Sequence, residues 1–177
     1  MKYIMVLLAF SNFAMAKVDT NLPEFISLEN AQYSLCKEHT IRYAYVIKIA
    51  HVGLYLKDCS NEIDVMAQSD KLIRFHYQVD VKAEIFRNAA EEFFIKNLTD
   101  TPVNQNIQEL KRFNQFYENI NDSDYYDLYH KQGHSLKLYK NTKLLGFSEN
   151  SDFAFKYYTI WFGDEPAVKS LKKAFMS

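Results

Sequence analysis

Between residues 71 and 97 the spacing of apolar residues changes period. Leu72, Ile73, Phe75, Tyr77 and Val79 read as a strand over 71–79. Ile85, Phe86, Ala89, Ala90, Phe93 and Phe94 then recur at i, i+1, i+4, i+5, i+8 and i+9. That is the apolar stripe of an amphipathic helix over 82–97. Thr101-Pro102 breaks the pattern. A second helix is predicted over 104–120, with Ile107, Leu110, Phe113, Tyr117 and Ile120 on one face. Residues 125–147 read as strands with corners at Gly133 and Asn141. Two helices follow in 151–177. Gly163 suits the end of the first, and Asp164 and Pro166 suit the start of the second. Strands first, a helix pair, strands again and a final helix pair predict α+β: an antiparallel sheet with one face covered by helices.

The segment 36–59 is predicted to be a hairpin. Ile41, Tyr43, Tyr45, Ile47 and Ile49 alternate, and the phase then shifts to Val52, Leu54 and Leu56. A regular strand cannot exchange its faces, so the shift requires a turn or a bulge. The chain's two cysteines, Cys36 and Cys59, stand at the ends of this segment. Their meaning depends on compartment. Lys2, the apolar run 4–10 and Ala14-Met15-Ala16 have the pattern of a secretory signal peptide over 1–16. The expectation is a single domain over 17–177 in the periplasm or secreted, where disulfides persist. Cys36 and Cys59 are then expected to pair and staple the base of the hairpin. No later stretch is long and apolar enough to span a bilayer.

Composition excludes several classes. The formal net charge is −1, without the basic surplus of a nucleic-acid binder. Four glycines, at 53, 133, 146 and 163, leave no Gly-rich phosphate loop, so no nucleotide cofactor is expected. His130 and His134 flank a turn and are not read as a metal pair. No metal and no other cofactor are predicted. The 14 Phe and 13 Tyr supply an aromatic core.

Three blocks carry a resemblance. "KIAHVGLYL" (48–56), "IRFHYQVDVKAEIFRNAAEEFF" (73–94) and "YYTIWFGDEPAVKSLKKAFM" (157–176) are similar, in order, to segments of chalcone isomerase-like proteins. The likeness is to an exported bacterial branch. It implies an open-faced β-sandwich, a large antiparallel sheet packed against a helical layer. In the plant enzymes of the family an Arg stabilises a developing oxyanion, with a Thr and a Tyr hydroxyl organising water beside it. Arg42 stands at the place of that Arg. Ala50, without a hydroxyl, stands at the place of the Thr.

The resemblance therefore implies a non-catalytic binder of a small apolar or carboxylate-bearing ligand such as a fatty acid, with Arg42 as a ligand-contacting candidate. His51 and His76, on predicted strands, read first as surface or satisfied core histidines and second as further ligand-contacting candidates. The alternatives are an isomerase or intramolecular lyase acting on a phenolic or enone substrate, and a protein-interaction module. Catalytic residues and oligomeric state stay unassigned.

Overall fold

The computed structural model describes residues 21–60, 63–98 and 103–177. The predicted signal peptide lies outside them. Seven strands form one sheet: β1 (Phe25–Leu28), β2 (Ala31–Tyr43), β3 (Ile47–Leu56), β4 (Lys71–Tyr77), β5 (Tyr125–Lys131), β6 (Ser135–Lys140) and β7 (Lys143–Ser148). Spatial order equals chain order, and every neighbouring pair is antiparallel. Helices α1 (Ala83–Lys96) and α2 (Val103–Asn114) leave the sheet after β4. Helices α3 (Ser151–Tyr157), α4 (Thr159–Phe162) and α5 (Lys169–Met176) follow β7.

Alternation along each strand sorts the side chains. Val52, Leu54, Ile73, Phe75, Tyr126, Leu128, Leu136 and Leu138 face the helices and pack with Phe94, Leu110, Phe113, Phe153, Leu171 and Phe175. The predicted helix over 104–120 stops at Asn114. Residues 115–117 continue in tighter turns, in which the Phe116 and Tyr117 N–H groups reach back only three residues. Tyr117 and Ile120 still enter the main core, and Ile120 bridges Val81. The last helix starts at Lys169, later than Asp164-Pro166 suggested. The stretch between is held instead by Asn97, whose side chain bonds the Glu165 N–H and C=O, both at 2.9 Å. A Cβ at Gly163 would collide with that same Asn97 side chain.

The other sheet face is also covered, because the sheet curls. The Tyr33 hydroxyl of β2 meets the Tyr129 hydroxyl of β5 at 2.9 Å, across the two strands that separate them in the sheet. Glu29, in the β1–β2 turn, pairs with Lys131 at 3.5 Å and with Lys137. Ile26, Tyr33, Tyr55, Leu72 and Tyr129 make a second small core inside the curl. Gly53 permits this closure: a Cβ there would stand 2.7 Å from the Tyr55 ring and 2.8 Å from Leu35.

The hairpin over 36–59 is β2–β3, but its turn is not at the phase shift. It lies inside the alternating run, at Ala44 and Tyr45, with φ of 48° and 65°. The left-handed region costs a residue with a side chain roughly 1–2 kcal/mol. The phase shift is a bulge: Ile41 pairs with Ala50 and Arg42 with Lys48, leaving Ile49 unmatched.

Cys36 is the extra residue of a second bulge, between Leu35 and Lys37. It is disulfide-bonded to Cys59, with the two Cα atoms 5.3 Å apart. The bridge closes the open end of the hairpin. For a loop of this size, Cys36→Ser with Cys59→Ser is expected to lower stability by about 3 kcal/mol. Urea midpoints measured with and without reductant check this; unchanged midpoints would refute it.

Candidate functional site

Where β4, β5 and β6 meet α1 and α4, the main core leaves a cavity of about 80 Å³. Phe75 and Tyr77 of β4 form its floor with Tyr126, Leu128 and Leu138. Phe86, Ala89 and Ala90 of α1 form one wall; Ile160, Trp161 and Ala167 form the other. Helical spacing places Phe86, Ala89 and Ala90 on adjacent turns of one helix face, and the two alanines leave the room the cavity occupies.

The lining is strongly aromatic. Phe86 sits 5.4 Å from Tyr77, 5.5 Å from Tyr117 and 5.4 Å from Tyr126, centroid to centroid. Trp161 lies 5.2 Å from Phe75 and 5.8 Å from Tyr157. Two of the three phenols are hydrogen-bonded. Tyr117 and Tyr157 share a hydroxyl–hydroxyl bond of 2.8 Å. The Tyr126 hydroxyl donates to the Glu118 carbonyl at 2.6 Å and accepts the Glu118 N–H at 2.9 Å. The Tyr77 hydroxyl makes no hydrogen bond among the described residues. Desolvation pushes the Tyr77 phenol well above its ordinary pKa and the Tyr117 phenol up to about 12. Both are neutral at physiological pH, donors rather than bases.

Among the described residues, no charged side chain lines the cavity. Arg87, next to Phe86, donates to the carbonyls of Asn114 (3.2 Å) and Tyr117 (2.8 Å) and so ties α1 to the segment after α2. Such a lining can enclose an apolar group and offer one phenol to a polar end. Among the described residues no group of three His, Cys, Asp or Glu is arranged to hold a metal.

Of the candidates drawn from sequence, none lines this cavity. Arg42 is exposed near the hairpin tip. His51 and His76 are directly paired across β3 and β4, but on the sheet face opposite the helices. His51 Nδ1 lies 2.9 Å from the Thr40 hydroxyl; the Gln78 amide N–H bonds His76 Nδ1 at 2.9 Å. Burial holds both imidazoles below their ordinary pKa, reinforced at His51 by Lys48, His76 and Arg42 and at His76 by Arg74. Strand alternation decides the matter: Ala50 and Val52 face the helices, so His51 cannot, and Phe75 and Tyr77 exclude His76 in the same way. The residues that do line the cavity, above all Tyr77, Phe86 and Trp161, read in sequence only as core aromatics.

A curled antiparallel sheet with a helical layer enclosing an apolar cavity defines an open-faced β-sandwich. The chain belongs to the chalcone isomerase-like family, whose profile matches residues 14–177. Among solved structures, it is similar to the crystal structure of the Arabidopsis thaliana fatty-acid binding protein AtFAP1. The TM-score is 0.65 at 18% identity, covering 90% of this chain and 94% of that one. No curated protein sequence matches significantly.

Proposed function

We propose that this protein is a non-catalytic member of its family, from the exported bacterial branch, that binds a small apolar ligand carrying a polar end, a fatty acid being the chemical class that fits best. The periplasm or the extracellular space is its place of action. The observation that carries this reading is the cavity: apolar, aromatic walls with the Tyr77 phenol among them. The solved neighbour's description as a fatty-acid binding protein supports the same ligand class. Ring closure of a chalcone needs a cation at the oxyanion and a positioned hydroxyl or water. Among the described residues the cavity lining holds no cation, which favours binding over the isomerase reading.

The size of the cavity adds a mechanical requirement. At about 80 Å³ it is roughly half the ~150 Å³ void that admits benzene in an engineered protein core. A long acyl chain therefore enters only if the aromatic walls yield, Phe86 on α1 and Trp161 on α4 among them. Binding should be of the induced-fit kind.

Trp161 is the chain's single tryptophan and lines the cavity, so its fluorescence reports on occupancy directly. Titration with medium- and long-chain fatty acids is expected to give a saturable change. Ala90→Leu, which fills the void from α1, should weaken binding at least about tenfold. Tyr77→Phe should weaken binding of the acid by about tenfold, the worth of one hydrogen bond to a charged group, and leave the matching hydrocarbon unaffected. No saturable change in the wild type, or equal affinity in a folded Ala90→Leu variant, would overturn the reading.

A further inference from the structure

The far end of the β2–β3 hairpin is built unlike the rest of the surface. β4 accompanies β3 only as far as Ala50, with one further bond from the Gln78 N–H to the Ile49 carbonyl at 2.9 Å. The remaining residues stand clear as a two-stranded ribbon, which at about 3.3 Å per residue projects roughly 10 Å beyond the sheet. Its tip is apolar and bare: Tyr43 is 68% exposed, Tyr45 94% and Val46 74%. Ile47 is half exposed.

Two further features set this tip apart. Ala44 and Tyr45 both hold left-handed backbone, where Asn or Gly would sit at ease. An almost fully exposed tyrosine gains no packing to offset that strain. Arg42 and Lys48, both exposed, are direct partners across the ribbon. Like charges in that position repel, and neither makes an ion pair among the described residues. An anionic surface would relieve the repulsion, and an apolar layer behind it would take the side chains.

We propose that the β2–β3 hairpin tip docks this protein on an anionic lipid bilayer, Tyr43, Tyr45, Val46 and Ile47 entering the headgroup boundary and Arg42 and Lys48 meeting phosphate groups. Tyrosine suits that depth because one end of its ring is apolar and the other wet. A second copy of the chain is the poorer occupant, because two tips would bring four cations together. The docking does not depend on what fills the cavity, to which no tip residue contributes.

The test is cosedimentation of the full exported chain with vesicles of phosphatidylglycerol in phosphatidylcholine, against phosphatidylcholine alone. Partition into the anionic vesicles is expected, weakening as salt rises. Arg42→Gln with Lys48→Gln should reduce it more than about tenfold, each cation near a membrane contributing a factor of about five. Tyr45→Asn with Val46→Ser should reduce it as far. Tyr45→Asn alone should melt no lower than wild type, since Asn tolerates the left-handed backbone, so lost partition cannot be ascribed to unfolding. Both tip variants should keep the Trp161 response to fatty acid, which separates failure here from failure of the ligand reading. Absence of partition into anionic vesicles, or undiminished partition by the tip variants, would overturn the proposal. So would lipid-free self-association that the tip variants abolish, because the tip would then serve contact between chains.

Discussion

Arg74→Ala is expected to cost about 3–5 kcal/mol, the range for removing one partner of a buried ion pair. Arg74 and Asp127 are 8% and 5% exposed. They pair across β4 and β5 in a two-pronged geometry, Nε to Oδ1 at 2.7 Å and a terminal nitrogen to Oδ2 at 2.6 Å. The guanidinium also lies 3.8 Å above the Tyr125 ring. Burial pushes the Asp127 carboxyl up and the Arg74 hydrogen bonds pull it back, so the Arg is what keeps a carboxylate tolerable there. Removing it leaves Asp127 buried without its partner.

The variant should then take up a proton at Asp127 on folding. A carboxyl whose folded pKa is raised contributes its full stability below the unfolded value and loses it as pH rises from there through the folded one. Arg74→Ala should therefore be least stable near neutrality and recover partly in mild acid. Arg74→Met with Asp127→Leu, which removes both charges and keeps the volume, should recover most of the loss. Urea unfolding at two pH values decides it. A loss under about 1 kcal/mol for Arg74→Ala would show that water reaches the pair and that the curl is looser than described.

This ion pair also marks what the sequence does not reveal. The period of two over 71–79 and the helical spacing over 82–97 are local signals, and both elements form as read, the strand ending at Tyr77. The second core is not local. It exists because β1 and β2 fold over β5 and β6, and no periodicity in Arg74 or Asp127 announces that their face will be covered. The position of the hairpin turn is hidden for a related reason: Tyr43, Tyr45 and Ile47 continue the alternation straight through a loop that lacks the usual turn residues.

The cavity is hidden more deeply. Phe86 and Ala90 have the same helical spacing whether the space beside them is filled or empty. The placement of Arg42 and Ala50 came from motif resemblance, which matches positions along the chain. The bulge at Ile49 and the alternation of β3 determine where those side chains end up.

Acid should destabilise the protein through His130. This side chain is 2% exposed, and its Nδ1 has no hydrogen-bond partner. It lies against the Tyr158 ring at 5.8 Å and is the direct cross-strand partner of Lys71. Lys71 is itself buried, its ammonium bonded to the Ala67 carbonyl and 4.7 Å from the same Tyr158 ring. Burial first, and Lys71 second, lower the His130 pKa from 6.5 to about 4, with Asp70 opposing. A base whose folded pKa is depressed contributes its full stability above the unfolded value and loses it as pH falls toward the folded one. The window is therefore about pH 6.5 to 4, and the loss across it is about 3 kcal/mol at 1.36 kcal/mol per unit.

Burial also lowers Lys71, to about 8, so it is already charged throughout this window and adds no slope there. His51 and His76, held down on the opposite face, add to the loss in the same direction. His130→Leu removes the titrating group and the unpartnered nitrogen together. It should leave stability at pH 7 within about 1 kcal/mol, since replacing an unsatisfied buried polar group by an apolar one is close to neutral, and it should flatten the decline between about pH 6.5 and pH 4.5. Paired carboxylates such as Asp70 and Glu109, whose pKa values are lowered, lose their contribution only below that range, so the two effects separate on the pH axis. Urea midpoints that fall equally in wild type and His130→Leu would transfer the acid sensitivity to the His51–His76 pair.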